Sequence, residues 1–354
     1  MEAIQPKINN SDTIVSVPGK ALLFGEYGVM RGGEAVAVCL PNFKMSVDFS
    51  FIEAKAEPLY SLSSDYLSRT IVVERNKLGQ LLESVEVNEE RNLACYLSGF
   101  CEFLQCVTLS VNVSREFSPS LGFGSSSALL SAFHIALAER FFSPNLIKQL
   151  SNSEFWSPLY TSLMHLQEGR GSGYDVALQT WAALNCKQEF APTVLSFRDA
   201  AYGQAKERAM FSPEISVVPM SAAELGHMGC FVESGVRSET RRVLQNMEKE
   251  KIESGFYEQQ KSFAKRFLAE PVLDNAMRLC REASHLALSS GLLPATESLQ
   301  SFTKRCDSLG IAWKTMGAGY GDCLWVIANR THVESIIREI AAPEMIVQFA
   351  FEDF

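Results

Sequence analysis

Pro119-Ser120-Leu121-Gly122-Phe123-Gly124-Ser125-Ser126-Ser127-Ala128 runs without a break into an apolar, helix-forming stretch, Leu129 to Ala138. Glycine lets the backbone approach an anion, hydroxyls donate to it or coordinate a cation, and a helix starting here turns its unpaired N–H groups toward the charge. The stretch predicts a phosphate cradle with a nucleotide as ligand, and Gly122, Gly124, Ser125, Ser126 and Ser127 are its candidate binding residues. It has neither the Gly-Lys-Ser/Thr ending of a P-loop nor the spaced glycines and downstream acid of a dinucleotide fold. A plain helix cap is the alternative if nothing else in the chain agrees.

Working outward, Val107 to Val113 alternates β-branched residues as a strand does, so the centre of the chain reads as strand, phosphate loop and helix, the helix over 128–142. Further strands are expected at Thr13 to Val17, at Ala35 to Leu40 and Met45 to Phe51 with Pro41-Asn42 between them, and at Cys323 to Asn329. Helical spacing marks 93–106, Leu146 to Leu150, Ser157 to Leu166, a segment from Tyr174, and the charged stretches Arg237 to Ile252 and Glu258 to Ala287. The last two carry a broad polar face that suits an outer layer.

A chain of 354 residues exceeds the size at which one core stops growing, so two lobes are expected, divided in the interrupted stretch between Ala191 and Pro219: 1–200 and 201–354. At 47% hydrophobic and 21% charged residues the composition is that of a globular protein with ample core, which excludes a largely disordered chain. A net charge of -9 argues against nucleic acid or an anionic membrane as partner and leaves small-molecule chemistry. The 9 cysteines are odd in number and form no CxxC pair, the segment Met1 to Ser11 has no apolar core, and no apolar run is long enough to span a bilayer. A reducing cytoplasm is the expected compartment. The five histidines show no metal-ligand spacing and read as structural.

Two more segments belong with the serine-rich loop. One is Val17-Pro18-Gly19-Lys20-Ala21-Leu22-Leu23-Phe24-Gly25-Glu26-Tyr27-Gly28-Val29, and the other is Lys314-Thr315-Met316-Gly317-Ala318-Gly319-Tyr320-Gly321-Asp322-Cys323. In order and position the three resemble the motifs of the GHMP small-molecule kinases, over nearly the whole chain. The resemblance implies an α+β fold of two lobes: an N-terminal nucleotide-binding lobe with mixed sheet and helices, a C-terminal lobe with antiparallel sheet and helices, and an active site in the cleft. It also implies ATP and Mg2+ as cofactors and a phosphotransferase activity.

Phosphoryl transfer needs an acceptor oxygen aimed in line and cations that offset the charge on the moving group. The resemblance assigns the first task to Asp175, because Ser172-Gly173-Tyr174-Asp175 matches the Ser-Gly-x-Asp tetrapeptide of mevalonate and phosphomevalonate kinases, and the second to Lys20 on the Pro-Gly-Lys turn. From local sequence alone Asp175 is equally a helix cap and Lys20 an exposed lysine. Ser126 is the first choice for a magnesium ligand, with Ser125 donating to phosphate, and Glu168 is a second metal candidate that lies closer to the aspartate than the family pattern places it. Gly317 and Gly319 are expected to close over the phosphates.

The acceptor is a small molecule. Gly25-Glu26-Tyr27, Gly171-Ser172-Gly173-Tyr174-Asp175-Val176 and Gly321-Asp322-Cys323 resemble phosphomevalonate kinase more than mevalonate kinase, with Arg170 or Lys44 as candidate cations for an acceptor phosphate. Mevalonate is the alternative acceptor, then galactokinase-like or homoserine-kinase-like substrates. A kinase-like fold that senses a ligand without turnover is the reading from another class.

Overall fold

The computed structural model describes residues 11–65, 67–116, 123–142, 145–169, 171–185, 192–202, 211–220, 224, 229–233, 254–290, 297–316, 323–327, 330–341, 345 and 347–348. Seven strands form a larger sheet: β1 (Ser11–Phe24), β2 (Ala35–Glu53), β3 (Leu59–Ser64), β4 (Ile71–Glu74), β5 (Val107–Arg115), β6 (Thr193–Asp199) and β7 (Pro213–Val217). Their order is β4-β3-β5-β2-β6-β7, and β1 lies along the other edge of β2. β3 and β5 are parallel and the remaining pairs antiparallel, so the sheet is mixed.

Two expectations change here. The strands expected on either side of Pro41-Asn42 are one strand, β2; proline has no N–H to give to the ladder, and the pairing with β1 jumps from Pro18↔Lys44 to Gly19↔Leu40, so the interruption is an irregularity in register rather than a break. For the same reason Pro18-Gly19-Lys20 is not a turn: it continues β1, with Lys20 opposite Cys39. The sequence pattern of β1 explains why only its first half was readable. Ile14 is exposed and Val15 buried, as on a half-covered sheet, whereas every residue from Val17 to Phe24 is buried because both faces are covered there.

Helices α1 (Leu78–Glu83), α2 (Glu89–Leu97), α3 (Ser125–Phe141), α4 (Ser153–Leu166) and α5 (Tyr174–Asn185) belong to this lobe. The segment expected to be helical over 93–106 ends its α-helix at Leu97, and α2 starts earlier, where Asn88 accepts a hydrogen bond from the Arg91 amide at 2.8 Å. α3 is buried from Ser127 to Ala138, as an all-round apolar helix must be, and packs against β1, β2, α4 and α5.

The smaller sheet is antiparallel, in the order β11-β8-β10-β9: β8 (Cys230–Glu233), β9 (Ala312–Thr315), β10 (Cys323–Ile327) and β11 (Val347–Gln348). The chain thus crosses from the larger to the smaller sheet between Val217 and Cys230. The stretch expected as one helix over Glu258 to Ala287 is two, α6 (Ser254–Ala269) and α7 (Leu273–Ser289), parted at Pro271, whose ring cannot continue the helix. α8 (Glu297–Ser308) and α9 (Arg330–Ile340) complete the lobe among the described residues. Alternation along β10 sends Trp325 and Ile327 to the core shared with the larger lobe and Leu324 and Val326 to a second core with Leu299, Phe302 and Ile337. Phe24 at the end of β1 packs on Phe267 at 5.1 Å and Trp325 at 5.6 Å, so the lobes share one apolar seam. No helix among the described residues is long and apolar enough to cross a membrane.

Candidate active site

The site is assembled where β1, the N-terminus of α3 and the N-terminus of α5 meet. The Lys20 amide donates to the Phe123 carbonyl at 3.0 Å, which ties β1 to the loop entering α3. Gly124 precedes that helix with φ 77°, a left-handed conformation, and a Cβ there would lie 2.8 Å from both Lys20 Cε and Ser127 Oγ. Only glycine lets the lysine stem pass this close to the helix end. Behind it, the buried Gln179 on α5 donates to the Pro18 carbonyl at 2.8 Å and accepts from Ser127 Oγ at 2.5 Å. Gln179 therefore locks β1, α3 and α5 into one register.

This places the three serines differently. Ser127 is buried and its hydroxyl bonds to Gln179 and to the Gly124 carbonyl at 2.9 Å, so it supports the loop from within and is not a free phosphate donor. Ser125 is half-buried and Ser126 exposed on the first turn of α3. The first amides of that turn have no partner within the helix, which makes it a place for an anion.

Lys20 is buried at 6% exposure, and its Nζ donates to Tyr174 Oη at 2.9 Å and lies 4.9 Å from the centre of the Tyr174 ring. Burial works against the ammonium, but Tyr174 and Asp175 outweigh it and hold the Lys20 pKa above the ordinary lysine value. Burial also pushes the Tyr174 phenol up, against the pull of Lys20, so it is protonated and uncharged near neutral pH. The Asp175 carboxylate is a further charge that favours the Lys20 ammonium. Asp175 is half-buried in the first turn of α5, where its Oδ1 accepts from the Val176 amide at 3.0 Å. An ammonium has three donors, and among the described residues Lys20 uses one. Two are left for a ligand.

Glu26 follows the sharp exit from β1 at Gly25, whose φ of 99° and whose absent Cβ, which would stand 2.2 Å from the Glu34 carbonyl, demand glycine. It is buried and forms an ion pair with the buried Lys314 of β9 in the other lobe. Burial pushes the Glu26 carboxyl up, with Lys314 and, more weakly, Lys20 pulling it down. Sequence reading missed three of these residues as participants: Gln179, a glutamine inside the apolar run Val176 to Leu184; Lys314, a lysine inside the apolar run Ile311 to Met316; and Tyr174 as the acceptor of the Lys20 bond. A polar residue set in an uninterrupted apolar segment was the available signal.

Other expected residues lie elsewhere. Glu168 has φ 52° and its carboxylate stands 3.9 Å from the buried Arg91 of α2, which makes it a partner of that arginine. Lys44 pairs with Glu116 at 3.5 Å on an exposed part of the sheet. Gly122, Arg170, Gly317, Gly319, Tyr320, Asp322 and the helix expected over Arg237 to Ile252 lie outside the described residues. Among the described residues no group of three His, Cys, Asp or Glu side chains could hold a metal ion. Magnesium bound to a nucleotide would take one or two protein oxygens and keep phosphate oxygens and waters for the rest, and the exposed Ser126 hydroxyl is an oxygen of that kind.

Neither a protein-family model nor a curated protein matches the chain by sequence. Its structure is similar to the Methanococcus jannaschii mevalonate kinase, with a TM-score of 0.65 at 15% identity over 97% of this chain and 98% of that one. The Streptococcus pneumoniae phosphomevalonate kinase in complex with phosphomevalonate and AMPPNP gives 0.64 at 16% identity over 93% and 95%. The Lactococcus lactis galactokinase complexed with galactose gives 0.62 at 12% identity over 96% and 93%. Full-length agreement with three kinases of one superfamily, reached from a chain whose three glycine-containing motifs fall in the order that superfamily uses, leads to one conclusion: this chain has the fold of the GHMP kinases.

Proposed function

We propose that the chain is an ATP-dependent small-molecule kinase that transfers the γ-phosphoryl group of ATP to phosphomevalonate. The observation that carries this is the buried Lys20 ammonium, which among the described residues uses one of its three donors, has the Asp175 carboxylate favouring its charge and lies beside the first turn of α3. A lysine in that state is poised for an anion of high charge, and a phosphate chain is the anion that also uses a helix N-terminus.

ATP with magnesium supplies the transferable group and offsets part of its charge. The chain's own residues do the rest. The amides at Ser125 and Ser126 receive the phosphates, and Ser126 Oγ is the protein oxygen offered to the cation. Lys20 donates to the γ-phosphoryl oxygens as charge builds on them. Asp175 faces the acceptor. A phosphate oxygen of phosphomevalonate is already anionic, so it attacks the γ-phosphorus without giving up a proton; the bond to the bridging oxygen breaks and ADP leaves. Asp175 then orients the acceptor and keeps Lys20 charged. With mevalonate as acceptor, Asp175 Oδ would instead take the hydroxyl proton.

The phosphomevalonate reading rests on the Gly-Glu-Tyr, Gly-Ser-Gly-Tyr-Asp-Val and Gly-Asp-Cys segments. A coupled assay of ADP release with mevalonate, phosphomevalonate, galactose and homoserine tests it. Phosphomevalonate should be turned over fastest. Efficient phosphorylation of mevalonate with phosphomevalonate ignored would overturn the acceptor, and no turnover with any of the four would leave a ligand-binding protein of this fold.

A further inference from the structure

Lys314 has no part in the scheme above, yet it is one of the most buried charges in the molecule, at 3% exposure. It sits in β9 of the smaller lobe, and its Nζ is spent on Glu26 and on the carbonyl of its neighbour Thr315 at 2.7 Å. Glu26 belongs to the other lobe, two residues past the end of the strand that carries Lys20. It stands between two lysines: it is bonded to Lys314 and acts electrostatically on both Lys20 and Tyr174. Among the described residues, the other titratable groups facing this cluster are Asp175 on α5, Cys39 on β2 and Cys280 on α7, whose thiol is pushed well above its usual range by burial.

A buried carboxylate pairs with whatever cation is in reach, because leaving it unpaired is far more costly than a poor geometry. Without Lys314, the cation that still acts on Glu26 among the described residues is Lys20. We propose that Lys314 is a positioning residue: by holding Glu26 it keeps that carboxylate off Lys20, so that Lys20 stays on Tyr174 and Asp175 with two donors open to a phosphate. The buried pair thus acts on the chemistry through charge placement, beyond joining the lobes. The proposal rests on the kinase reading for its consequence on rate, but not for the capture of Lys20 itself.

The test uses Lys314→Met, Lys314→Arg and the double variant Glu26→Gln/Lys314→Met in the full chain. Lys314→Met should lower kcat on the order of 100-fold through a displaced Lys20, with KM for ATP changed by less than about threefold. The loss should be deepest at high pH, where Glu26 is ionised, and should shrink as pH falls and Glu26 takes a proton. Removing both charges should restore kcat to within about tenfold of the parent, a recovery that a lost structural contact would not give. Lys314→Arg should keep the parental pH profile. Independently of turnover, acylation of the Lys20 amine, read by mass spectrometry, should be slower in Lys314→Met and parental in the double variant. If the parent protein turns over no acceptor, the kinase reading fails and the acylation comparison still decides whether Glu26 captures Lys20. Parental kcat, pH profile and Lys20 acylation in Lys314→Met would overturn the proposal. If that variant does not fold, a folded double variant with slow Lys20 acylation would overturn it too.

Discussion

Lys20 and Lys314 are both buried lysines on β-strands, and each has a carboxylate for company, but they are left in opposite states. Lys314 gives two of its three protons to Glu26 and to a backbone carbonyl, both inside the protein. Lys20 gives one to the Tyr174 phenol, and its charge is favoured by that residue and by Asp175, a half-buried group at a helix start. An ammonium bonded to a buried carboxylate and a carbonyl is part of the framework, whereas one bonded to a single neutral hydroxyl is prepared for a ligand. Burial alone does not separate the two.

The largest effect that would break this contrast concerns Asp175. Asp175→Asn removes a carboxylate that favours the Lys20 charge and, in the proposed reaction, the group facing the acceptor, so kcat should fall about 10²–10⁴-fold while affinity for a non-hydrolysable ATP analogue stays nearly constant. Turnover near the parental rate would take Asp175 out of the mechanism. Lys20→Met comes next: kcat should fall about 10²–10³-fold, as for loss of one preorganised donor to a developing charge. Its stability should change little, because Lys20 has few partners to lose, whereas Lys314→Met should cost about 3–5 kcal/mol by breaking the buried ion pair with Glu26. Equal stability losses in the two variants, measured by denaturant titration, would erase the distinction between them.

Gly124→Val tests the neighbouring helix end. A branched side chain at φ 77°, with Lys20 Cε and Ser127 Oγ at 2.8 Å from its Cβ, must displace the lysine, and binding of the ATP analogue should be lost. Parental affinity in a calorimetric titration would reduce the loop to a helix cap.

The smallest effect concerns stability. His134 is fully buried among Phe100, Phe155 and Trp156, both ring nitrogens lack a hydrogen bond, and burial lowers its pKa from 6.5 to about 3. Between those values the unfolded chain holds a proton that the folded chain refuses, so stability is full above the unfolded pKa and falls as pH drops below it. At pH 5 that one residue accounts for about 2 kcal/mol, and His134→Phe, which suits the aromatic surroundings, should remove the sensitivity. Denaturation midpoints of parent and variant that move in parallel from neutral pH to pH 5 would rule this out.

Sequence reading reached the fold through segments whose signals are local. Gly124 and the serines ahead of an apolar run gave the start of α3 within a few residues, and β5 was plain from its alternation. β3, β4, β6, β7, β8, β9 and β11 were not found; each is short, and β9 is buried along its length and β8 up to its last residue, so nothing in the pattern of those two separates them from helix or loop. The Pro-Gly-Lys segment looked like a turn because its continuation of β1 depends on β2 shifting register, a fact of pairing and not of local preference. In the candidate site, Lys20 and Asp175 came from motifs. Gln179 and Lys314 act through partners 161 and 288 positions away, and no single segment announces such contacts.

The most direct measurement follows the phosphorus atoms themselves. Purified protein, ATP, magnesium and phosphomevalonate are observed by ³¹P NMR alongside the Asp175→Asn variant. The expected result is loss of the ATP γ-resonance, growth of ADP and appearance of a new phosphoanhydride on the acceptor, with the variant silent over the same period. An unchanged ATP spectrum with phosphomevalonate, mevalonate, galactose and homoserine in turn, from protein that binds the nucleotide, would contradict the assignment of this site to phosphoryl transfer.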